Sequence, residues 1–313
     1  MHRHRKRQRE FEDFALPLKT VLNGGYAVKI GSMVSCLSRC DSAFYQGKKI
    51  LISGGSSGIG KATALLLAKQ GAALAIAARN TDRLQTAASD IRNAAHGAVV
   101  HTIPVDVSDP SQAKQAAVSA LEKLSGLDIL INNAGIAHPG YIQKMNDEIF
   151  ESMMRVNYFG MLHMTRALLD HFTSQRSGCI CSVSSLQGYF GIFGYTAYAA
   201  SKFAVTGFSD CLRQELLPYN VKLSVVFPPD TDTPQFHEEN LIKPLETKAI
   251  SGTIKPLRAS DVAKAIAHGI ATGRYHIIPG FDARLLCFMY RHFPYLVRFV
   301  IDKRIQKAGR FKS

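Results

Sequence analysis

The stretch Ser53-Gly54-Gly55-Ser56-Ser57-Gly58-Ile59-Gly60 decides how this chain folds. A short apolar run, 49–53, precedes it, and a helix-forming run, 61–70, follows it. Strand, glycine-rich turn and helix in that order open a βαβ unit. Gly54, Gly58 and Gly60 let the backbone turn tightly and approach a pyrophosphate, which would rest on the following helix N-terminus beside Ser56, Ser57 and Ile59. Glycine turns also make bends that bind nothing; the place after a first strand favours the nucleotide.

The same rhythm continues outward. Strands are expected at 73–78, 99–105, 128–132, 179–184 and 222–227, with helices at 81–95, 110–123, 146–172 and 196–216. Alternation on that scale predicts an α/β fold, a Rossmann-type doubly wound parallel sheet in one domain. Residues 229–257 break the pattern as a long polar insertion. A helix at 260–272 and a last strand at 275–278 resume it. The domain is therefore placed at 47–280. Residues 1–46 read as an irregular basic extension in which Met33 offers an alternative start, and 281–313 as a basic amphipathic C-terminal segment.

The chain has 313 residues and a net charge of +14. Residues 1–10 carry +4 and residues 284–313 carry +7, so only +3 belongs to the 273 residues between them. Basic tails without a groove-reading motif make a weak case for nucleic acid, and none is expected as a partner. The six cysteines (36, 40, 179, 181, 211, 287) contain no CxxC pair and read as reduced thiols, with no metal site and no disulfide framework. No secretory signal and no spanning helix is recognised. A cytoplasmic protein is expected, peripheral on the cytosolic face of any membrane it meets.

Strand ends carry the candidate chemistry. Arg79 ends the second strand, where an acid would bind a ribose 2′-hydroxyl and an arginine suits a 2′-phosphate. Arg83 lies one turn later; the alternative is an exposed cation pair. Asp106, with Val107 next to it, is placed either to bond an adenine amine or to cap the next helix. Asn133-Ala134-Gly135 ends the fourth strand with small groups that admit a nucleotide. Tyr198 and Lys202 sit one turn apart on one helix face, where an ammonium would lower the phenol's pKa and ready it for proton transfer. Ser185 stands thirteen residues before Tyr198, just past the fifth strand, where a hydroxyl can bond a substrate carbonyl. Ser184 beside it is the competing choice. Asn157, in mid-helix, has no reading of its own.

Taken together, these residues make 48–235 resemble the short-chain dehydrogenase/reductase family. The resemblance rests on the Gly54/Gly58/Gly60 turn (spaced GxxxGxG), Asn133-Ala134-Gly135, Asn157, Ser185 and Tyr198-x-x-x-Lys202. It implies that Tyr198 is the catalytic acid/base and that Lys202 binds the nicotinamide ribose. It further implies that Ser185 orients the substrate and Asn157 holds a water in a proton relay. Ser53 replaces the family's usual Thr but keeps the hydroxyl. Pro228-Pro229-Asp230-Thr231-Asp232-Thr233 has Pro229 where the family has Gly, while Thr233 keeps the place that contacts the carboxamide.

Residues 228–247 are similar to the subgroup that reduces the C3 ketone of a long-chain amino-ketone lipid with NADPH in sphingolipid synthesis. The implied reaction is 3-ketodihydrosphingosine to dihydrosphingosine. The alternatives are another apolar ketone (steroid, retinoid or 3-oxoacyl compound) or a non-catalytic nucleotide-binding module. Tyr189, Phe190, Ile192 and Phe193 are expected either to wall an apolar pocket or to pack the core, and 235–257 to act as a substrate lid. Arg284, Arg291 and Arg298, seven apart in an apolar segment, suit an anionic membrane surface. Docking on the chain's own domain or on a second copy in a homo-oligomer is the competing reading.

Overall fold

Runs of Ile, Leu, Val and Ala too short for helices become strands buried on both faces, as a parallel sheet requires. The computed structural model describes residues 43–252 and 255–309. Most of the expected 1–46 extension, with Met33, Cys36 and Cys40, lies outside the described residues, as do 253–254 and 310–313.

The element order is β1 (Lys49–Ser53), α1 (Gly58–Lys69), β2 (Ala73–Ala78), α2 (Thr81–Ala94), β3 (Val100–Pro104), α3 (Pro110–Leu124) and β4 (Ile129–Asn132). Then come α4 (Asp147–Met153), a π-helical stretch (Met154–Phe159), α5 (Gly160–Gln175), β5 (Cys179–Val183), α6 (Thr196–Leu216) and β6 (Lys222–Val226). The long polar insertion at 229–257 forms β7 (Thr231–Asp232), α7 (Pro234–Ile242), α8 (Leu245–Ser251) and β8 (Leu257–Arg258). The chain continues through α9 (Ala259–Ala271), β9 (His276–Ile277), α10 (Phe281–His292) and α11 (Pro294–Gly309).

The main sheet runs β3-β2-β1-β4-β5-β6-β9, every neighbouring pair parallel. The order reverses between β1 and β4, and that switch point opens a crevice at the carboxyl ends of the strands. One apolar layer joins α3, α5 and α6 to one face, centred on Leu130, Leu168, Phe172 and Val225. The other joins α1, α2 and α9 to the opposite face through Ile52, Leu67, Leu84 and Ile266. Each such side chain contributes about 1.5–3 kcal/mol by leaving water. Tyr45, ahead of the expected domain start, is fully buried and its hydroxyl donates to the Ala267 carbonyl oxygen at 2.7 Å.

Local signals fix the ends. Asn80 caps α2, accepting from Arg83 N–H at 2.8 Å. Leu84, Ala87, Ala88 and Ile91 then line its buried face at helical spacing. Asp109 caps α3, with Pro110 at the first helical position.

Helices α10 and α11 meet at Phe293–Pro294, so the expected single stripe of Arg284, Arg291 and Arg298 does not form. Proline cannot continue the first helix, and Arg298 lies in the second helix beyond that break. Among the described residues no helix is long and apolar enough to cross a membrane.

Candidate active site

One cleft runs over the switch point, lined by the glycine turn, the ends of β2, β3 and β4, and the segment after β6. Gly54, Ser56, Ser57, Gly58, Ile59, Arg79, Arg83, Asp106, Val107, Asn133, Ala134 and Gly135 all face it. So do Ser185, Tyr198, Lys202, Pro228 and Thr233.

The glycine turn is tight by necessity. A Cβ on Gly60 would lie 2.2 Å from the Gly54 carbonyl oxygen, and Gly54 itself holds a φ of +67°. Helix α1 begins there with no side-chain cap on its first N–H groups and no acid in its first turn. Unpaired N–H groups and a positive dipole end are what a phosphate needs. The Ser53 hydroxyl accepts from the N–H groups of Asn133 at 3.1 Å and Ala134 at 3.2 Å, so Ser in place of Thr still joins β1 to β4.

Arg79 and Arg83 are exposed at the mouth, and neither joins an ion pair among the described residues. Asp106 is not the cap of α3, because Asp109 takes that place. Its Oδ1 instead accepts from the N–H and hydroxyl of Ser108. This cradle fits a dinucleotide with a 2′-phosphate: glycines where backbone must approach, bare N–H groups at the pyrophosphate position, and unpaired arginines at the ribose.

The reacting end is built where α6 crosses β5. Lys202 is buried and its Nζ donates to the Val183 carbonyl oxygen at 2.9 Å. Desolvation lowers its pKa to about 8. Nζ also stands 5.7 Å from the centroid of the Tyr198 ring. The lowering of the phenol pKa expected from this neighbour is not found. Burial, then the charge of Glu239, push Tyr198 well above its usual range, while a hydrogen bond from Ser185 opposes them. The two serines differ in partners: Ser184 donates to the Lys202 carbonyl oxygen at 3.0 Å, while Ser185 Oγ accepts from Gln187 N–H at 3.1 Å and lies beside Tyr198.

Asn157 lies in the π-helical stretch, whose wider turn swings it inward. Its Oδ1 accepts from Ile136 N–H at 2.8 Å, and its Nδ2 donates to the Ile136 carbonyl oxygen and to Ser201 Oγ, each at 2.9 Å. Both amide hydrogens are thus held by protein. Gly135 fits between Asn157 and Lys202, where a Cβ would sit 3.2 Å from Asn157 Oδ1 and 3.4 Å from Lys202 Nζ.

Thr233 caps α7 by accepting from Phe236 N–H at 3.2 Å, and its methyl leans over Gly58. Helix α7 thereby closes the outer wall. Its other members were not singled out from sequence: Asp230, Gln235, Phe236 and Glu239, with Tyr195 facing them. The signal they carried was their place in the subgroup-like stretch 228–247, which assigned none of them a role, and Tyr195 precedes Tyr198 by one helical turn.

Of the two readings of 189–193, pocket wall or core packing, the contacts favour packing, and these residues are not among the cleft's lining. Tyr189 packs edge-on against Phe227, Phe190 packs on Tyr290, and Phe193 meets Tyr141. Burial in those contacts is worth more to apolar rings than an open wall.

Such a cleft can hold a nicotinamide dinucleotide against a phenol proton donor, and this chain belongs to the short chain dehydrogenase family, whose model matches residues 48–242. The chain is 40% identical over 257 residues to the Bos taurus 3-ketodihydrosphingosine reductase, covering 81% of this chain and 77% of that protein. It is 41% identical over 243 residues to the Danio rerio 3-dehydrosphinganine reductase, covering 77% and 73%. A Burkholderia phymatum short-chain dehydrogenase/reductase, solved with NAD, superposes with a TM-score of 0.72 at 24% identity over 80% of this chain and 95% of its own. The last likeness speaks to fold alone.

Proposed function

We propose that this protein reduces 3-ketodihydrosphingosine to dihydrosphingosine with NADPH. The observation that carries the reading is the meeting of Tyr198, Ser185 and Lys202 in one cleft of a chain 40% identical to a reductase of that name.

Ser56, Ser57, Gly58 and Ile59 hold the pyrophosphate, and Arg79 and Arg83 hold the 2′-phosphate. The bound cofactor supplies the hydride. Tyr198 is the acid that protonates the ketone oxygen, and its raised pKa keeps the phenol protonated in neutral solution. Ser185 bonds the same oxygen. Lys202, fixed on Val183, places an ammonium under the phenol and the ribose. Asn157 clamps Ile136 to α6 and so sets the floor of the site; the proton that refills Tyr198 passes through Lys202 and water held nearby.

Helices α7 and α8 form the lid over the substrate. Protease cleavage within 235–257 is expected to be blocked by NADPH with substrate, and cleavage at an unchanged rate would remove the lid. A cytosolic membrane face supplies the lipid through α10 and α11. Phe281, Leu285 and Phe288 form one exposed stripe, Phe293, Leu296 and Phe299 another, with Arg284 and Arg291 between. Exposed aromatics interleaved with cations suit an anionic bilayer. Flotation with phosphatidylserine liposomes, with and without residues 284–313, tests this; equal flotation overturns it.

The decisive assay is NADPH oxidation by the purified full chain with 3-ketodihydrosphingosine. Turnover of a steroid, retinoid or 3-oxoacyl ketone with none of the sphingoid would move the reading to that class.

A further inference from the structure

Apart from Asp106, which holds Ser108, the cleft contains two carboxylates that the chemistry does not use, and among the described residues only Asp230 is paired with a cation. Asp230 lies 3.6 Å from Lys243 Nζ, and that lysine is buried with its ammonium 4.5 Å from the centre of the Phe236 ring. Glu239, half-buried on α7, has neutral partners. Its Oε2 accepts from the Tyr195 hydroxyl at 2.7 Å and its Oε1 from the Gln235 amide at 3.0 Å. None of the ion pairs among the described residues includes it. Two oriented donors fix a carboxylate without neutralising it.

The position is close to the reaction. The Tyr195 and Tyr198 rings are 5.7 Å apart between centroids, so Glu239 is one side chain away from the proton donor. Its charge is felt there, acting against formation of the phenolate. A negative charge that hinders proton donation in the empty cleft is useful only if the substrate cancels it. In a 2-amino-3-ketone the ammonium and the carbonyl oxygen are separated by two bonded carbons. A carbonyl seated on Ser185 and Tyr198 therefore keeps the ammonium in the part of the cleft that Tyr195 and Glu239 also line.

We propose that Glu239, held in place by Tyr195 and Gln235, receives the substrate ammonium and makes the enzyme selective for 2-amino ketones over plain long-chain ketones. The proposal rests on the sphingoid reading above and names the residue that would enforce it. Arrival of the cation would also relieve the penalty on Tyr198, so the proton donor becomes effective when the correct substrate is bound.

The test compares 3-ketodihydrosphingosine with its 2-deamino analogue, using wild type and Glu239→Gln, with NADPH affinity and melting temperature measured alongside. A charge-assisted hydrogen bond of ordinary strength corresponds to a loss of about 10- to 100-fold in kcat/KM. That loss is expected for the amino ketone, chiefly in KM, with NADPH affinity nearly unchanged and the deamino ketone turned over as fast or faster, because the charge opposing Tyr198 is gone. A direct measurement needs no turnover: wild type should bind dihydrosphingosine more tightly than its N-acetyl form, and Glu239→Gln should lose that preference. Equal losses on both ketones, or no loss on either, overturn the proposal while leaving the sphingoid reading intact. Wild type that turns over neither ketone overturns both.

Discussion

Lys202 Nζ donates to the Val183 carbonyl oxygen at 2.9 Å, so the lysine of the Tyr-x-x-x-Lys pair is fixed to the end of β5 as well as to its own helix. Ser184 closes the same joint from the other side, donating to the Lys202 carbonyl oxygen. Strand end and helix therefore carry Ser185, Tyr198 and Lys202 as one rigid piece.

Removing the phenol hydroxyl leaves that piece in place and takes away only the proton donor. Tyr198→Phe is expected to lower kcat/KM for ketone reduction by at least about 1,000-fold. NADPH binding, followed by fluorescence titration, should stay within a few-fold of wild type. Substantial retained turnover would show that another group donates the proton.

The pH behaviour should carry two opposite signs. Burial holds Lys202 near a pKa of about 8 in the folded chain, below its ordinary value of 10.5. Between those values the unfolded chain keeps a proton that the folded chain has shed, so folding stability should rise with pH there. Reduction rate should fall over the same range as the ammonium is lost. Rate profiles and thermal melts of wild type and Lys202→Met check this: the variant should lack this contribution to both slopes.

Arg79 and Arg83 have no ion-pair partner among the described residues and stand where a 2′-phosphate would lie. Replacing both with Ala should weaken NADPH by about 10- to 100-fold, the range of lost charge-assisted contacts, and leave NADH nearly unaffected. Parallel losses for both cofactors would remove the assignment.

Two glycines should respond in opposite ways to the same change. Gly60→Ala places a methyl 2.2 Å from a backbone oxygen and is expected to abolish nucleotide binding or folding. Gly207→Ala, on an exposed face of α6 with nothing within 4 Å, should stabilise by about 0.5–1 kcal/mol. Urea melts of both variants decide the matter.

Much of the fold was legible because its signals are local. Val, Ile and Leu runs, glycine turns and capping residues lie within a few positions of what they control. Tyr198, Lys202 and Ser185 were legible for the same reason, each fixed to a strand end or to one helical turn. The outer wall was not. Asp230 and Lys243 are joined across thirteen residues with no period between them, and Lys243 looks like a surface cation until Phe236 is packed on it. The polarity of 235–257 hid two short helices, since α7 buries no residue fully and α8 buries the polar Glu246 and Thr247 beside Ile250. The 189–193 aromatics were ambiguous, since a ring's preference between core and cleft depends on Phe227, Tyr141 and Tyr290, far away in sequence.

The buried Thr247 donates to the Phe193 carbonyl oxygen at 2.9 Å, and Gly194 leaves room for that hydroxyl. With the Tyr141–Glu246 and Tyr195–Glu239 bonds, this latch joins the strand-end region to the proposed lid helices α7 and α8. A lineage could exchange everything from Asp230 to Ser251, keep Thr247 and Gly194, and inherit the same chemistry with a new appetite. In engineering terms the protein is a fixed reactor with an interchangeable inlet, and libraries aimed at new ketones belong in the inlet.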